Sequence, residues 1–291
     1  LYGIERAGLP KPDAIIVSSP PPYPIVPAAR LARRHGAKLV FEVRDLWPLS
    51  LVELGNIGVK HPFIRITQAI ENYAYSRSDL VVSVLPGAKQ HMVSHGLDPG
   101  KFLAVPNGAM VLDQATKVDP RVKSAFLGPR FIVGYAGKLG VSNAMDAFVS
   151  AAVELAERED LGFVVIGEGA ELERLRELGR PAIDRGGLAF LPRVPKTEVL
   201  GMIAAFDLAW VGIKDSPLYS HGISLTKLFD YMNVARPIVL SASAGNDPVS
   251  ESGCGVTVPP EDARALAAAI VALAKLGRDE LERMGTAGRR Y

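Results

Sequence analysis

Apolar residues in this chain fall into short unbroken runs, separated by longer stretches in which they recur at helical spacing. The runs "DAIIVSS" (13–19), "KLVFEV" (38–43), "DLVVSVL" (79–85) and "KFLAVP" (101–106) have the length and branched composition of buried strands. Between them, "IVPAARLARRHG", stopped by Gly36, "FIRITQAIENYAYS" (63–76) and "GAKQHMVSHG" read as helices. Residues 109–130 keep no clean period and predict a linker. The pattern then restarts. Strands are predicted at 131–136, 162–167, 188–192, 207–212, 237–242 and 255–259. Helices are predicted near 143–157, 170–178, 196–205 and 224–234, with a last one at 261–276. Strands alternating with helices imply parallel sheets covered on both faces. The expectation is an α/β chain of two Rossmann-like, doubly wound domains, 1–113 and 114–291, with ligands outside the carboxyl ends of the strands. The first half shows only four strands and the chain opens at Leu1 without Met. Its N-terminal domain is therefore expected to be truncated.

Composition narrows the class. Hydrophobic residues make up 48% and charged residues 22%, as in a soluble, core-forming chain. A net charge of +2 gives no sign of nucleic-acid binding. Residues 1–113 hold 12 Lys/Arg against 9 Asp/Glu, a mildly basic half that suits an anionic partner or membrane surface. The single cysteine, Cys254, excludes an internal disulfide and a thiolate metal site, and fits a reducing, cytoplasmic setting. The most apolar helical stretch, 265–277, is too short to span a bilayer, and no signal peptide is visible. The histidines read as scattered, and no D-x-D acidic pair follows a strand, so no metal is expected.

Three stretches could carry chemistry. "GYAGKLGVSNAMDAF" (134–148) ends a strand in Gly137-Lys138-Leu139-Gly140, with Ser142 placed to cap the next helix. Glycines admit backbone N–H groups to an oxyanion and Lys138 adds charge, the build of a phosphate-binding turn. A plain strand-to-helix turn with a solvated lysine is the rival reading. "SHGISLTKLFDYMNVARPIVL" (220–240) puts Leu225, Leu228, Phe229 and Met232 on one helical stripe, and Lys227 and Asp230 three apart off it. Ser224 stands where an N-cap would, so the amides of Leu225, Thr226 and Lys227 would converge on one anion. The bland alternative is a surface ion pair worth about 0.2–0.5 kcal/mol. "FEVRDLWPLS" (41–50) ends a strand in Arg44-Asp45 beside Trp47, which suits a polar ligand or a structural ion pair. Glu168 in "IGEG", and Arg193 and Val194 after a strand, could each touch a ligand or simply open a loop. Arg30, Arg33 and Arg34 cluster on one helix and read as a solvated face.

Taken in order, "SSPP" (18–21), "FEVRDLWP" (41–48), "VPNG" (105–108), "GYAGKLG" (134–140), "IGEG" (166–169), "FLPRVP" (190–195), "ISLTKLFDYM" (223–232) and "GCGVTVPPED" (253–262) resemble the family 4 glycosyltransferases of GT-B fold. The bacterial surface-polysaccharide branch that handles N-acetylated sugars, of the N-acetyl-fucosamine type, is the most similar. The resemblance implies retaining, metal-independent and cofactor-free transfer from a nucleotide-diphosphate sugar, usually UDP-linked, to a polyprenyl-linked or growing glycan. It also implies peripheral contact with the inner face of the membrane. It assigns catalytic charge to Lys138 and Lys227, and donor binding to Gly137, Gly140, Glu168, Arg193, Val194, Ser224, Leu225, Thr226 and Asp230. Lys227 and Asp230 would face the interdomain cleft, one toward phosphate and one toward ribose. Acceptor-side positions are Ser19, Arg44, Asp45, Trp47 and Asn107. Departures are visible. Gly222 stands where the first acid of the family's E-x7-E helix motif belongs, Asn143 where a second basic residue is usual, and Ala235 where a glycine closes the motif helix. Arg44 replaces a common His. Family members close an early Gly-rich loop over the phosphates, so the chain as given is expected to be incomplete as a catalyst. Two other functions fit the same architecture: a nucleotide-sugar 2-epimerase, and a non-catalytic nucleotide-sugar-binding subunit.

Overall fold

The structure, a computed structural model, describes residues 10–109 and 116–291. It forms two compact units. The first runs to Asn107 and takes in Ser216–Ser224 and Ala244–Asn246; the second holds the remainder.

In the first unit, strands β1 (Ala14–Ser19), β2 (Lys38–Val43), β3 (Leu80–Ser83) and β4 (Phe102–Ala104) form a parallel sheet in chain order. Ser19 lies opposite Val43, and Val43 opposite Ser83, so the carboxyl edge is even. The helices are α1 (Ile25–His35), α2 (Leu49–Glu53), α3 (Pro62–Arg77) and α4 (Lys89–Ser94). Gly36 ends α1 in the left-handed conformation, as its position predicts. Helix α2 is absent from the sequence reading because five residues behind a proline carry no measurable period. Phe41, Val43, Tyr75, Val81 and Met92 make the core, and Leu218 from the inserted segment joins it.

The second unit opens with α5 (Pro120–Lys123), whose Asp119 cap accepts from the Arg121 amide at 2.9 Å. This helix lies inside the stretch read as linker; residues 110–115 of that stretch lie outside the described residues. There follow β5 (Phe131–Ala136), α6 (Met145–Glu154), β6 (Leu161–Ile166), α7 (Leu172–Leu178), α8 (Arg180–Asp184), β7 (Leu188–Leu191), α9 (Lys196–Ile203) and β8 (Leu208–Gly212). After them come α10 (Thr226–Asn233), β9 (Ile238–Ser241), α11 (Pro248–Ser252), β10 (Gly255–Val258), α12 (Ala263–Ala274) and α13 (Arg278–Arg290). The parallel sheet has the order β10-β9-β8-β5-β6-β7. Winding reverses between β5 and β8, and in such sheets the crevice opens outside the carboxyl ends of these strands. Trp210, Tyr135, Phe148 and Phe163 fill the core beneath.

Three local expectations are corrected. The last helix is α13, not 261–276. Its two buried positions are glycines, which interrupt the apolar stripe of Leu281 and Met284: a side chain on Gly285 would strike the Ala235 carbonyl, and one on Gly288 would strike Cys254 and Met232. Ser142 does not cap α6. It sits in a 3-10 turn, Val141–Asn143, and the chain enters α6 through Ala144 at φ +47°. Within α10, Leu228, Tyr231 and Met232 are buried while Leu225 and Phe229 are half-buried, so the inward face is turned toward Tyr231.

Helix α10 ends at Ala235 with φ +53°, and the amides of Ala235 and Arg236 donate back to Met232 and Tyr231. An L-residue in this conformation carries a steric cost that glycine avoids. Ala235→Gly should therefore raise stability by about 0.5 kcal/mol, the strain relieved less the entropy of a freer unfolded chain. Ala235→Val should lower it, and urea denaturation of both variants measures the pair.

Candidate active site

The parallel sheet of the second unit fixes the site. At the carboxyl end of β5 the backbone continues into Gly137-Lys138-Leu139, and at the end of β6 into Gly167-Glu168-Gly169. The two turns are stitched: the Gly137 amide donates to the Ile166 carbonyl at 3.0 Å and the Leu139 amide to the Glu168 carbonyl at 2.8 Å. No side chain fits between them. A Cβ on Gly167 would lie 1.9 Å from the Gly137 carbonyl oxygen, and one on Gly169 2.0 Å from that of Leu139. Above these turns opens a cavity of about 910 Å³, within the size range of small-molecule sites. Lys138, Glu168, Arg193, Lys196, Lys227 and Asp230 supply its charged lining.

Lys227 does not pair with Asp230. Its ammonium donates to the Tyr135 hydroxyl at 2.9 Å and to Asn143 Oδ1, and lies 4.7 Å from the Tyr135 ring centre. Burial lowers its pKa to about 8. Asp230 is half-buried, and burial raises its carboxyl while the charge of Lys196 acts the other way. The surface-pair reading of these two residues is thereby set aside. Lys138 is exposed and makes no ion pair with a described residue. Arg193 and Glu168 are joined by a 2.8 Å salt bridge on the rim.

Of the positions expected to bind donor, Gly137, Lys138, Glu168, Arg193, Val194, Thr226, Lys227 and Asp230 line this one cavity. Gly140, Ser224 and Leu225 do not. Gly140 precedes the 3-10 turn. Leu225 is extended, at φ −86° and ψ 114°, so α10 starts at Thr226 with no side-chain cap. Ser224 is occupied within the first unit: its hydroxyl accepts from the Asn107 amide at 2.7 Å and its carbonyl from Asn107 Nδ2 at 2.6 Å. Asn107 and Ser224, expected to serve different substrates, thus hold each other. Lys196 and Val199 line the cavity from α9 and escaped the sequence reading, which had only a loop-to-helix boundary there to work with.

Residues 3–108 match the family model of the glycosyl transferase 4-like domain, and residues 130–275 match that of glycosyl transferases group 1. The chain belongs to the group 1 glycosyltransferases. Among curated proteins it is 24% identical over 280 residues to the probable glycosyltransferase WbjE of Pseudomonas aeruginosa, covering 92% of this chain and 68% of that one. Solved structures show the same GT-B architecture. HepE of Anabaena in complex with UDP-glucose superimposes with a TM-score of 0.68 at 15% identity, covering 94% of this chain and 72% of that one. Sucrose-phosphate synthase of Thermosynechococcus elongatus gives 0.75 at 19% identity, covering 99% and 70%. The lipopolysaccharide outer core galactosyltransferase WaaB, in its apo form, gives 0.62 at 13% identity, covering 97% and 73%.

In the first unit of this glycosyltransferase, Ser19, Arg44 and Asp45, expected on the acceptor side, stand at the even carboxyl edge. Ser19 ends β1 with its hydroxyl buried and without a partner among the described residues. Arg44 and Asp45 leave β2, and burial raises the Asp45 carboxyl. Behind them lies a carboxyl the sequence reading passed over. Glu71 of α3 is 2% exposed, accepts from Tyr75 at 2.8 Å and Gln68 at 2.9 Å, and is pushed by burial up to about 7. The histidines are not scattered. His91 of α4 and His95, which caps its C-terminus, have ring centres 4.4 Å apart, and His221 lies 5.1 Å from His91. Burial first, then its two neighbours, lower His91 to about 4. Among the described residues no His, Cys, Asp or Glu group has metal-holding geometry.

Glu71 binds its proton more tightly in the folded chain than in the unfolded one. Its contribution to stability is fully present below about pH 4.5 and is lost as the pH rises toward about 7, a cost on the order of 3 kcal/mol. Glu71→Gln should remove that slope between pH 4.5 and 7, as read by urea unfolding across the window.

Proposed function

We propose that the cavity at the β5/β8 reversal binds a UDP-sugar and that the enzyme transfers the sugar with retention to a lipid-linked or growing glycan of the cell surface. The observation that carries the reading is the convergence of Lys138, Lys227 and the first amides of α10 on one cavity, with Asp230 one turn deeper. The diphosphate would meet two amines and the positive end of a helix. Asp230 would accept the ribose hydroxyls, and Glu168, Arg193 and Val194 would flank the base. As negative charge grows on departing UDP, the amines and amides stabilise it where it develops. Basic groups do the neutralising a divalent ion does elsewhere, so the reaction is metal-independent. HepE of Anabaena, a structural neighbour, has been solved with UDP and with UDP-glucose, which supports the donor class. Branch membership supports surface polysaccharide as the product and N-acetylated hexoses as the sugars.

The first unit supports membrane contact. Val59, Phe63 and Ile66 expose 64%, 40% and 58% of their surface around the start of α3, beside Lys60 and Arg65. No acidic residue occurs from Leu54 to Ile70. Apolar side chains ringed by cations fit an anionic bilayer, on the cytoplasmic face where such enzymes meet polyprenyl-linked acceptors. No helix among the described residues is long and apolar enough to cross a membrane.

Calorimetry should show UDP binding to the full chain, unaffected by EDTA, and a requirement for Mg²⁺ would overturn the metal-free reading. Asp230→Asn keeps its shape but accepts ribose hydroxyls less well. Ground and transition states use those bonds alike, so the variant should mainly raise the donor KM, on the order of tenfold, at nearly unchanged kcat. A lowered kcat with unchanged KM would place Asp230 elsewhere. Loss of label from sugar C2 in deuterated water would favour epimerisation instead.

Vesicles test the membrane face. The protein should co-sediment with phosphatidylglycerol vesicles and not with phosphatidylcholine. Phe63→Ser together with Ile66→Ser should cut the bound fraction by roughly tenfold. Equal binding to both lipids, or full binding by the double variant, would remove this surface from consideration.

A further inference from the structure

Four groups, two of them from residues that line the cavity, close a ring of hydrogen bonds. The Tyr135 hydroxyl donates to the Lys138 carbonyl at 2.7 Å and accepts from the Lys227 amine at 2.9 Å. Asn143 does the same with its two amide atoms: Nδ2 donates to the Lys138 carbonyl at 3.0 Å, and Oδ1 accepts from Lys227. One carbonyl therefore has both lone pairs engaged, and one amine has two of its three non-carbon positions engaged. Gly137 makes room, since a side chain there would sit 2.9 Å from the Tyr135 hydroxyl and 3.5 Å from Lys227 Cε.

We propose that Tyr135 and Asn143 are positioning residues that yoke the Lys227 amine to the backbone of the Lys138 turn, so that the donor's phosphate completes the amine's tetrahedron and brings its counter-charge. The proposal rests on the donor reading of the cavity.

The stereochemistry makes the two side chains more than packing. A neutral amine has two N–H donors, and both find acceptors in the ring, which leaves its lone pair for the last position. An ammonium has a third N–H for that same position. Either state satisfies Tyr135 and Asn143, so the bracket stays in place while the charge changes. The titratable groups around the amine do not fix its charge. Tyr135 on β5 is held in its phenol form by burial. Lys138 on the turn and Lys196 on α9 are the other amines lining the cavity. Glu168 is engaged by Arg193, and Asp230, on the same helix as Lys227, makes no bond to it. Burial, with no carboxylate in contact, keeps the amine's pKa near 8. A phosphate in the fourth position would raise it. UDP binding should therefore take up a proton above neutral pH, and more of one at pH 8.5 than at pH 7. UDP's own phosphate, titrating near 6, adds almost nothing at the higher pH.

The experiment is titration of the full chain with UDP at pH 7 and 8.5, in buffers of different ionisation enthalpy, with melting curves as a folding control. Wild type should show the proton uptake at pH 8.5. Tyr135→Phe, which keeps the ring, and Asn143→Ala, in a surface turn, should each weaken UDP binding by about tenfold. Asn143→Asp gives Lys227 a fixed counter-charge, so the uptake at pH 8.5 should vanish and binding should weaken further. Variants that bind UDP with wild-type affinity and uptake, while Asp230→Asn weakens it, overturn the bracket and leave the donor reading intact. Wild type that binds no UDP overturns both.

Discussion

A lysine amine taken out of water with no carboxylate beside it is the interaction on which the second unit's site depends. Burying an unpaired cation is costly, and the protein lowers that cost with two neutral acceptors and an aromatic face. It leaves the electrostatic account open on one side. Groups perturbed by burial in this way cluster at functional sites. The neighbouring charges agree: Lys138, Lys196 and Arg193 outnumber Asp230 and Glu168 around the same cavity.

Everything that holds this amine in place follows from the parallel sheet. Because β5 lies between β8 and β6, the turns after β5 and β6 emerge side by side, and α10, reached after β8, comes to the same edge. The turns touch backbone to backbone only because Gly167 and Gly169 have no side chains to keep them apart. Tyr231 of α10 adds a tie from below, its hydroxyl accepting from the Ala136 amide at 2.9 Å. Sheet order thus sets which chain segments meet, and glycine and tyrosine contacts set how closely.

Strand positions were legible because the strands read as short apolar runs, and all ten recur within a residue or two of their predicted bounds. The glycine-rich turn and the lysine of "SLTKLFDYM" were legible as candidates, and both line one cavity. Their true partners were not. Tyr135 lies inside a strand and Asn143 inside a turn, 92 and 84 residues from Lys227 in sequence, so no local pattern joins them. Ser224 misled for the opposite reason. It has the right type and place for an N-cap, yet Asn107, 117 residues away, offers its hydroxyl and carbonyl a better-matched pair of donors. Helix α13 was missed because its two buried positions, Gly285 and Gly288, are glycines, which leaves little apolar signal beside Leu281 and Met284.

Gly222 shows why the family's missing acid is a structural choice rather than a single lost side chain. Its backbone has φ +99° with ψ 169°, a region only glycine enters readily. A Cβ there would lie 3.0 Å from both Asn246 Oδ1 and Pro86 Cδ. Asn246 cannot yield, because its amide holds the Ile223 backbone at both ends, accepting from the amide at 2.7 Å and donating to the carbonyl at 3.2 Å. A glutamate at 222 would need a different path for Ser216–Ser224, and that path is fixed by Leu218 in the first unit's core and by the Asn107–Ser224 pair.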